Sequence, residues 1–263
     1  MTICIAGIAE NKKIVAFTDR MLTLPAPVKT AFEITENDKA IQLADKDVAM
    51  FAGDVLKANA ILKRAKKDIQ TNWGAEKVAD KVCEAYKEQW VSDIEEALLR
   101  RFGLSRKDFV NKQRELENDL VKNINNTIGT YNLGVEIIVA GIDGGEPRLF
   151  KIENPGIITS HDPVGYCCVG SGAQHATFSL IESQYNPSFL EARSIYAIMQ
   201  AKKRAQYDPG VGDLTDIVLI NDNYSKIDGN KIESMCKIYE KSGTVINAER
   251  EKCASDIKKI IYE

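Results

Sequence analysis

Histidine is scarce in this chain: His161 and His175 are the only two in 263 residues. A serine–histidine–acid triad or a histidine-rich zinc centre therefore has little to be built from. Ser171 stands in VGSGA, but a nucleophile elbow needs glycine where Val169 stands, so G-x-S-x-G is not met. Both GSGAQH and DPGVGD lack the G-K-[ST] ending of a phosphate-binding loop. The six cysteines (Cys4, Cys83, Cys167, Cys168, Cys236, Cys253) form no C-x-x-C pair, so neither a zinc ribbon nor a dithiol redox motif is signalled. They are expected to be free thiols in a reducing cytoplasm, with Cys167 and Cys168 on opposite faces of one strand. No apolar run reaches the ~18 residues a membrane helix needs, and the start has no basic region ahead of an apolar core, so no membrane span or signal peptide is expected. A net charge of −3 and no basic stripe argue against nucleic acid as a partner. The cluster KRAKK at 63–67 reads as a solvated helix face.

The remaining pattern is rich in strands that arrive as pairs. TICIAGI and KIVAFTD, joined by AENK, predict a hairpin, and KAIQLA with DVAMFAG predicts a second. A loop carrying Pro25 and Pro27 is expected from Leu24 to Asp38, with a short strand near Phe32. Gly53 closes a strand and opens a helix running through about Gln70. A second helical stretch spans Ala75 to Arg101 and ends at Gly103. Ser105 is a candidate N-cap for a third, polar helix through about Asn123, on the surface or against a partner subunit. GVEIIVAGID and PRLFKIE form a third predicted hairpin across DGGE. Weaker strands cover GIITSH and VGYCCVG. Two helices follow, about Ala173–Gln184 and about Pro187–Arg204, then the strand TDIVLIND with a short partner near Tyr224–Ile227. Two closing helices are predicted, separated by Ser242-Gly243. Hairpins dominate over βαβ units, which predicts an α+β architecture: two antiparallel sheets packed on each other with helices outside both. The chain is expected to be a single domain over 1–263, with neither internal repeat nor linker.

Thr2 follows the initiator methionine directly, inside the first strand. If Met1 is removed, Thr2 carries a hydroxyl and a free α-amine, whose ordinary pKa is about 7.7–8.0. Nucleophile and general base then sit on one residue. Pairing within a sheet would hold this otherwise frayed end still. No propeptide would be needed, because a side chain as small as that of Thr2 permits methionine removal.

With these motifs in order, the chain resembles the proteasome β-subunit family within the N-terminal nucleophile hydrolases. The resemblance implies a four-layer αββα sandwich. IVAFTDRMLT places Asp19 at the acidic catalytic position. KAIQLADKDVAMFAGD places Lys39 at the catalytic lysine and Gly53 at the oxyanion-hole glycine. VGSG places Ser171 at the serine near the terminal amine. Chemically, a Lys39 ammonium would lower the proton affinity of the Thr2 hydroxyl, and Asp19 would keep that lysine charged and oriented. The Gly53 N–H can approach a tetrahedral oxyanion because no Cβ intervenes.

Three departures qualify the likeness. The loop AQYDPGVGD is longer than usual: Asp208 is the candidate for the family's loop aspartate, with Asp213 second, and Val211 stands at the matching serine position. The helical stretch over about 71–131 is an elaboration, able to cap the site, block ring stacking or make a different subunit contact. No processed propeptide is expected. Together these imply a divergent bacterial or archaeal proteasome-like protein. The implied function is threonine-type hydrolysis of a peptide or amide bond, without metal or organic cofactor, in a cytoplasmic homo-oligomer that is a ring or partial ring. The alternatives are a catalytically silent assembly subunit and a small-molecule amidase. The motifs identify no regulatory ATPase.

Overall fold

The computed structural model describes residues 2–23, 31–33 and 38–262. Its strands assemble into two five-stranded antiparallel sheets and a two-stranded ribbon. The first sheet contains β1 (Cys4–Ala9), β2 (Lys13–Asp19), β10 (Tyr166–Val169), β11 (Thr215–Ile220) and β12 (Tyr224–Lys226), in the order β10-β1-β2-β11-β12. The second runs β5-β6-β7-β8-β9, from β5 (Ala40–Ala44), β6 (Asp47–Gly53), β7 (Val135–Asp143), β8 (Glu146–Glu153) and β9 (Ile157–Ser160). The ribbon pairs β3 (Met21–Thr23) with β4 (Ala31–Glu33). That short strand near Phe32 was expected; the loop with Pro25 and Pro27 lies outside the described residues, as does Met1.

Both faces of the central strands are covered, which is why β1, CIAGIA, is apolar and buried at every position. Alternate residues point to opposite faces. Cys4, Ala6 and Ile8 join Ile14, Ala16, Val48, Met50, Ala52, Ile138 and Ala140 in the layer between the sheets. Ile3, Ile5, Val15 and Phe17 pack instead under α5 (Ala173–Glu182) and α6 (Glu191–Ala205). On the far side, Ala49, Phe51, Ile137 and Val139 pack under α1 (Val55–Lys66) and α2 (Ala75–Ile94). The result is the expected α+β sandwich, helix on sheet on sheet on helix. Cys167 lies in the inter-sheet layer and Cys168 on the helix side, opposite faces as read from their adjacency.

The helices depart from the sequence pattern in five places. α1 ends at Lys66 and not near Gln70. α2 stops at Ile94 and continues as a π-helical turn (Glu95–Leu99) and a 3-10 turn (Arg100–Phe102), closed by Gly103 in a left-handed conformation. The polar third helix divides into α3 (Arg106–Lys112), capped by Ser105, and α4 (Asn118–Thr130). A continuous helix would hold Phe109 and Ile124 ~22 Å apart at 1.5 Å per residue. The break lets both reach one small cluster with Ile94, Leu98 and Leu99. α6 begins at Glu191 and not near Pro187, because Pro187–Leu190 is spent on the turn in which Ser188 bonds the Asn186 side chain. The two closing helices are one, α7 (Gly229–Tyr262). Gly243 costs an exposed helix only about 1 kcal/mol, too little to end it. Ser242 stays helical, bonding the Tyr239 carbonyl at 2.7 Å and the Tyr196 hydroxyl at 2.6 Å.

One buried group is at odds with its surroundings. Asp47, at the start of β6, is fully buried, and neither carboxylate oxygen finds a hydrogen-bond partner among the described residues. Burial, reinforced by the nearby Asp143 and Asp45, pushes its pKa up to about 7. The folded state then holds a proton that the unfolded chain releases near pH 4. Stability should fall as pH rises from about 4 to about 7 and level off above that. Asp47→Asn should remove this component of the pH dependence and add about 1–3 kcal/mol at pH 8, as read by urea unfolding at pH 5 and pH 8.

Candidate active site

The β1–β2 register decides where Thr2 lies. Cys4 pairs with Thr18, and the Asp19 N–H donates to the Ile3 carbonyl at 3.2 Å, so the residue before Ile3 is carried alongside Asp19. The Thr2 hydroxyl donates to Asp19 Oδ1 and accepts from Lys39 Nζ. Lys39, immediately before β5 of the other sheet, donates to the same Asp19 oxygen at 2.5 Å. All three side chains are buried: 2% exposure for Thr2, none for Asp19 and 1% for Lys39. A buried ion pair persists only when its remaining hydrogen-bonding capacity is met. Here the Ile3 N–H reaches Asp19 Oδ1 at 3.3 Å and the Gly212 N–H reaches Oδ2 at 2.9 Å.

Thr2 lies on the wall of a cleft of about 570 Å³ whose lining includes Ala52, Gly53, Gly134, Glu136, Gly170 and Ser171. Gly53 has φ +102°, and a Cβ there would lie 1.9 Å from the Gly134 carbonyl oxygen. Glycine is thus required by the turn out of β6 as well as by any access to the Gly53 N–H. Gly170, at φ +105°, has a similar reason: a Cβ would meet the Thr2 carbonyl oxygen at 2.2 Å. The Gly170 N–H donates to Glu136 Oε2 at 3.0 Å, and Lys151 bridges Glu136 and Glu153 at 3.0 and 2.7 Å.

The other expected residues sit less directly. Ser171 lines the cleft, but its hydroxyl donates to Asp208 Oδ1 at 3.2 Å and makes no hydrogen bond to Thr2. Asp208 also accepts from the Gly210 N–H, so it organises its own loop. Asp213 accepts from the Gln206 side chain. Val211 is buried against the turn at Gly172, whose Cβ, if present, would meet it at 2.7 Å. The loop's direct contribution to Asp19 is the main-chain N–H of Gly212, which no side-chain motif reveals. Of the two histidines, His175 is exposed on α5 and His161 is half-buried, its pKa lowered by burial. Cys4, close by, is a thiol held protonated by burial, and its Sγ donates to the Phe51 carbonyl at 3.2 Å. No cluster of three or more histidine, cysteine or carboxylate side chains is arranged for a metal among the described residues.

The proteasome subunit family model matches residues 111–217. The chain is proteasome-like. Its two stacked antiparallel sheets between helical layers are consistent with the proteasome fold. The stretch by which the proteasome-like chain is matched includes Ser171 and Asp208, whereas Thr2, Asp19, Lys39 and Gly53 lie outside it. No curated protein matches it. No described helix is long and apolar enough to cross a membrane.

The pair Asp19–Lys39 should behave as one unit in folding. Asp19→Asn or Lys39→Met alone leaves an uncompensated buried partner and should cost about 3–5 kcal/mol. The double variant should lose clearly less than the sum of the singles in a denaturant-unfolding cycle.

Proposed function

We propose that this protein is a threonine-type hydrolase that cleaves peptide or amide bonds, with Thr2 as nucleophile. The observation that carries the reading is the Thr2 hydroxyl set between the Lys39 ammonium and the Asp19 carboxylate on the wall of an open cleft. While residue 1 is attached, the Thr2 nitrogen is an amide with no basic lone pair. Cutting the bond before Thr2 turns it into an amine able to take the hydroxyl proton, directly or through a water.

Thr2 Oγ1 attacks the substrate carbonyl carbon as its proton passes to the α-amine. Lys39 stabilises the alkoxide character developing on Oγ1, and Asp19 holds Lys39 in place. The Gly53 N–H is the proposed donor to the tetrahedral oxyanion, a contribution whose loss typically costs about 2.7–4 kcal/mol. The carbon–nitrogen bond breaks, the leaving amine takes the proton from the α-ammonium, and an ester remains on Oγ1. Water attacks that ester, gives a proton to the amine, and the acid departs as Oγ1 regains its hydrogen. Ser171, hydrogen-bonded to Asp208, shapes the turn beside the terminal nitrogen.

Proteasome subunits assemble into rings, and a ring or partial ring of this chain in the cytoplasm is part of the same proposal. The exposed α3–α4 elaboration is the surface that would alter its subunit contacts.

A β-lactone electrophile followed by peptide mapping tests the chemistry. One acyl adduct should form, on Thr2, and only in molecules lacking residue 1. Thr2→Ala should lose the adduct and lower amide hydrolysis by about 10³-fold or more. Parallel assays on casein and on short acyl-amides assign the substrate to protein or small molecule. Unchanged hydrolysis by Thr2→Ala would remove the proposal.

A further inference from the structure

Lys202 is a buried cation that the proposed chemistry does not use. It lies on α6 at 1% exposure, among Ser194, Ile198, Ala201 and Ala205 on the buried face of that helix. Its ammonium donates to two main-chain carbonyls, Gly212 at 2.7 Å and Asp213 at 2.8 Å. No carboxylate lies within ion-pair distance of it among the described residues, although Asp19, Asp213 and Glu33 contribute favourable charge from further away. Burial pulls its pKa down to about 8, the cost of keeping a lysine there.

What that cost secures is visible in the loop. The peptide following Gly212 is gripped by Lys202 at its carbonyl, while the N–H of Gly212 donates to Asp19 Oδ2 at 2.9 Å. The same segment is held from the side by Gln206, whose amide donates to the Gly212 carbonyl at 3.2 Å, and by Glu33, which accepts from the Leu214 N–H at 2.9 Å. Gly212 has no room for a side chain, since a Cβ would lie 1.9 Å from Glu33 Oε1. Of these clamps, Lys202 alone is fully buried and charged, and it fixes the carbonyl of the residue whose N–H binds Asp19.

We propose that Lys202 is a positioning residue for the Thr2 site: its ammonium fixes the Gly212–Asp213 carbonyls so that the Gly212 N–H stays on Asp19 and orients the carboxylate toward Thr2 and Lys39. The kinetic consequence rests on the threonine-nucleophile reading; the structural one does not. Two measurements on the full chain separate them. Hydrogen–deuterium exchange of the peptide spanning 208–214 should be slow in the wild type and at least tenfold faster in Lys202→Met, with the peptides of β2 and α6 unchanged. Acylation of Thr2 by a β-lactone should keep its half-saturating concentration but lose about tenfold in maximal rate. In an Asp19→Asn background, Lys202→Met should cost less than a further twofold. Should the methionine variant not fold, Lys202→Gln, which keeps a donor but no charge, is read in the same two ways. Unchanged exchange over 208–214, or a rate loss equally large with and without Asp19, overturns the inference. A wild-type protein that is never acylated at Thr2 counts against the hydrolase reading instead, and the exchange result alone then decides the role of Lys202.

Discussion

A carboxylate and an ammonium taken out of water together, Asp19 and Lys39, set the terms for everything around them. Each ion loses several kcal/mol of hydration, and their mutual attraction offsets this only if every remaining lone pair and proton is placed. Asp19 meets that condition with four donors: the Thr2 hydroxyl, the Lys39 ammonium, the Ile3 N–H and the Gly212 N–H. Three chain segments far apart in sequence must therefore converge within hydrogen-bond distance, and the fold can be understood as the means of holding them there.

The first means is register. β1 and β2 are joined by a tight loop in which Glu10 and Asn11 both have positive φ, 54° and 55°. That turn fixes Ala9 opposite Lys13 and so carries Ile3 to Asp19. A slip of one residue would exchange the inter-sheet and helix-facing sets of side chains and remove Thr2 from the carboxylate at the same time. β11 extends the arrangement, since Thr215 pairs with Asp19 and the loop before it is thereby laid over the carboxylate. The second means is the packing of the sheets. Lys39 enters β5 and Gly53 leaves β6, both in the sheet opposite Thr2, so the cleft exists only because the two sheets are locked together. The layer between them sets the small residues Ala6, Ala16, Ala40, Ala52, Ala140, Cys4 and Cys167 among larger ones such as Ile14, Met50, Ile138 and Leu149, and the small ones allow close approach with little side-chain freedom to lose.

This explains which parts were legible in the sequence. The hairpins stand out because strands covered on both faces read as unbroken apolar runs, and polar turns punctuate them. The layered fold and the convergence of Thr2, Asp19 and Lys39 follow once those hairpins are set in order, aided by the likeness to proteasome subunits. Helix limits were harder because they depend on tertiary demands. The break between α3 and α4 serves a cluster that local periodicity does not display, and α7 runs through Ser242-Gly243 because an exposed glycine is a weak stop. Gly212 was invisible for another reason: its contribution is a main-chain N–H, which any residue but proline possesses. Lys202 did leave a trace, a lysine falling on the apolar stripe of α6, at the spacing of Ile198 and Ala205. A charge on a buried face needs a partner, and here the partners are carbonyls with no letter of their own.

The loop between α6 and β11 shows how such a substitution of means can preserve an end. The resemblance to proteasome subunits puts a serine where this chain has Val211. A hydroxyl there would add a polar link near Thr2; valine gives instead an apolar anchor, buried beside Gly172 and Ala205. The turn from Gly170 to Gly172 is packed from that side by Val211 and from the other by the Thr2 carbonyl, so an apolar contact braces the residue that a polar one would have addressed directly. Electrostatic work then falls to the next residue, Gly212, whose N–H reaches the carboxylate and whose carbonyl reaches a buried ammonium. The loss of one hydroxyl is accordingly weak ground for reading the site as silent: orientation of Asp19 depends on where the loop's main chain lies, and that is governed by Val211 packing and the Lys202 clamp together.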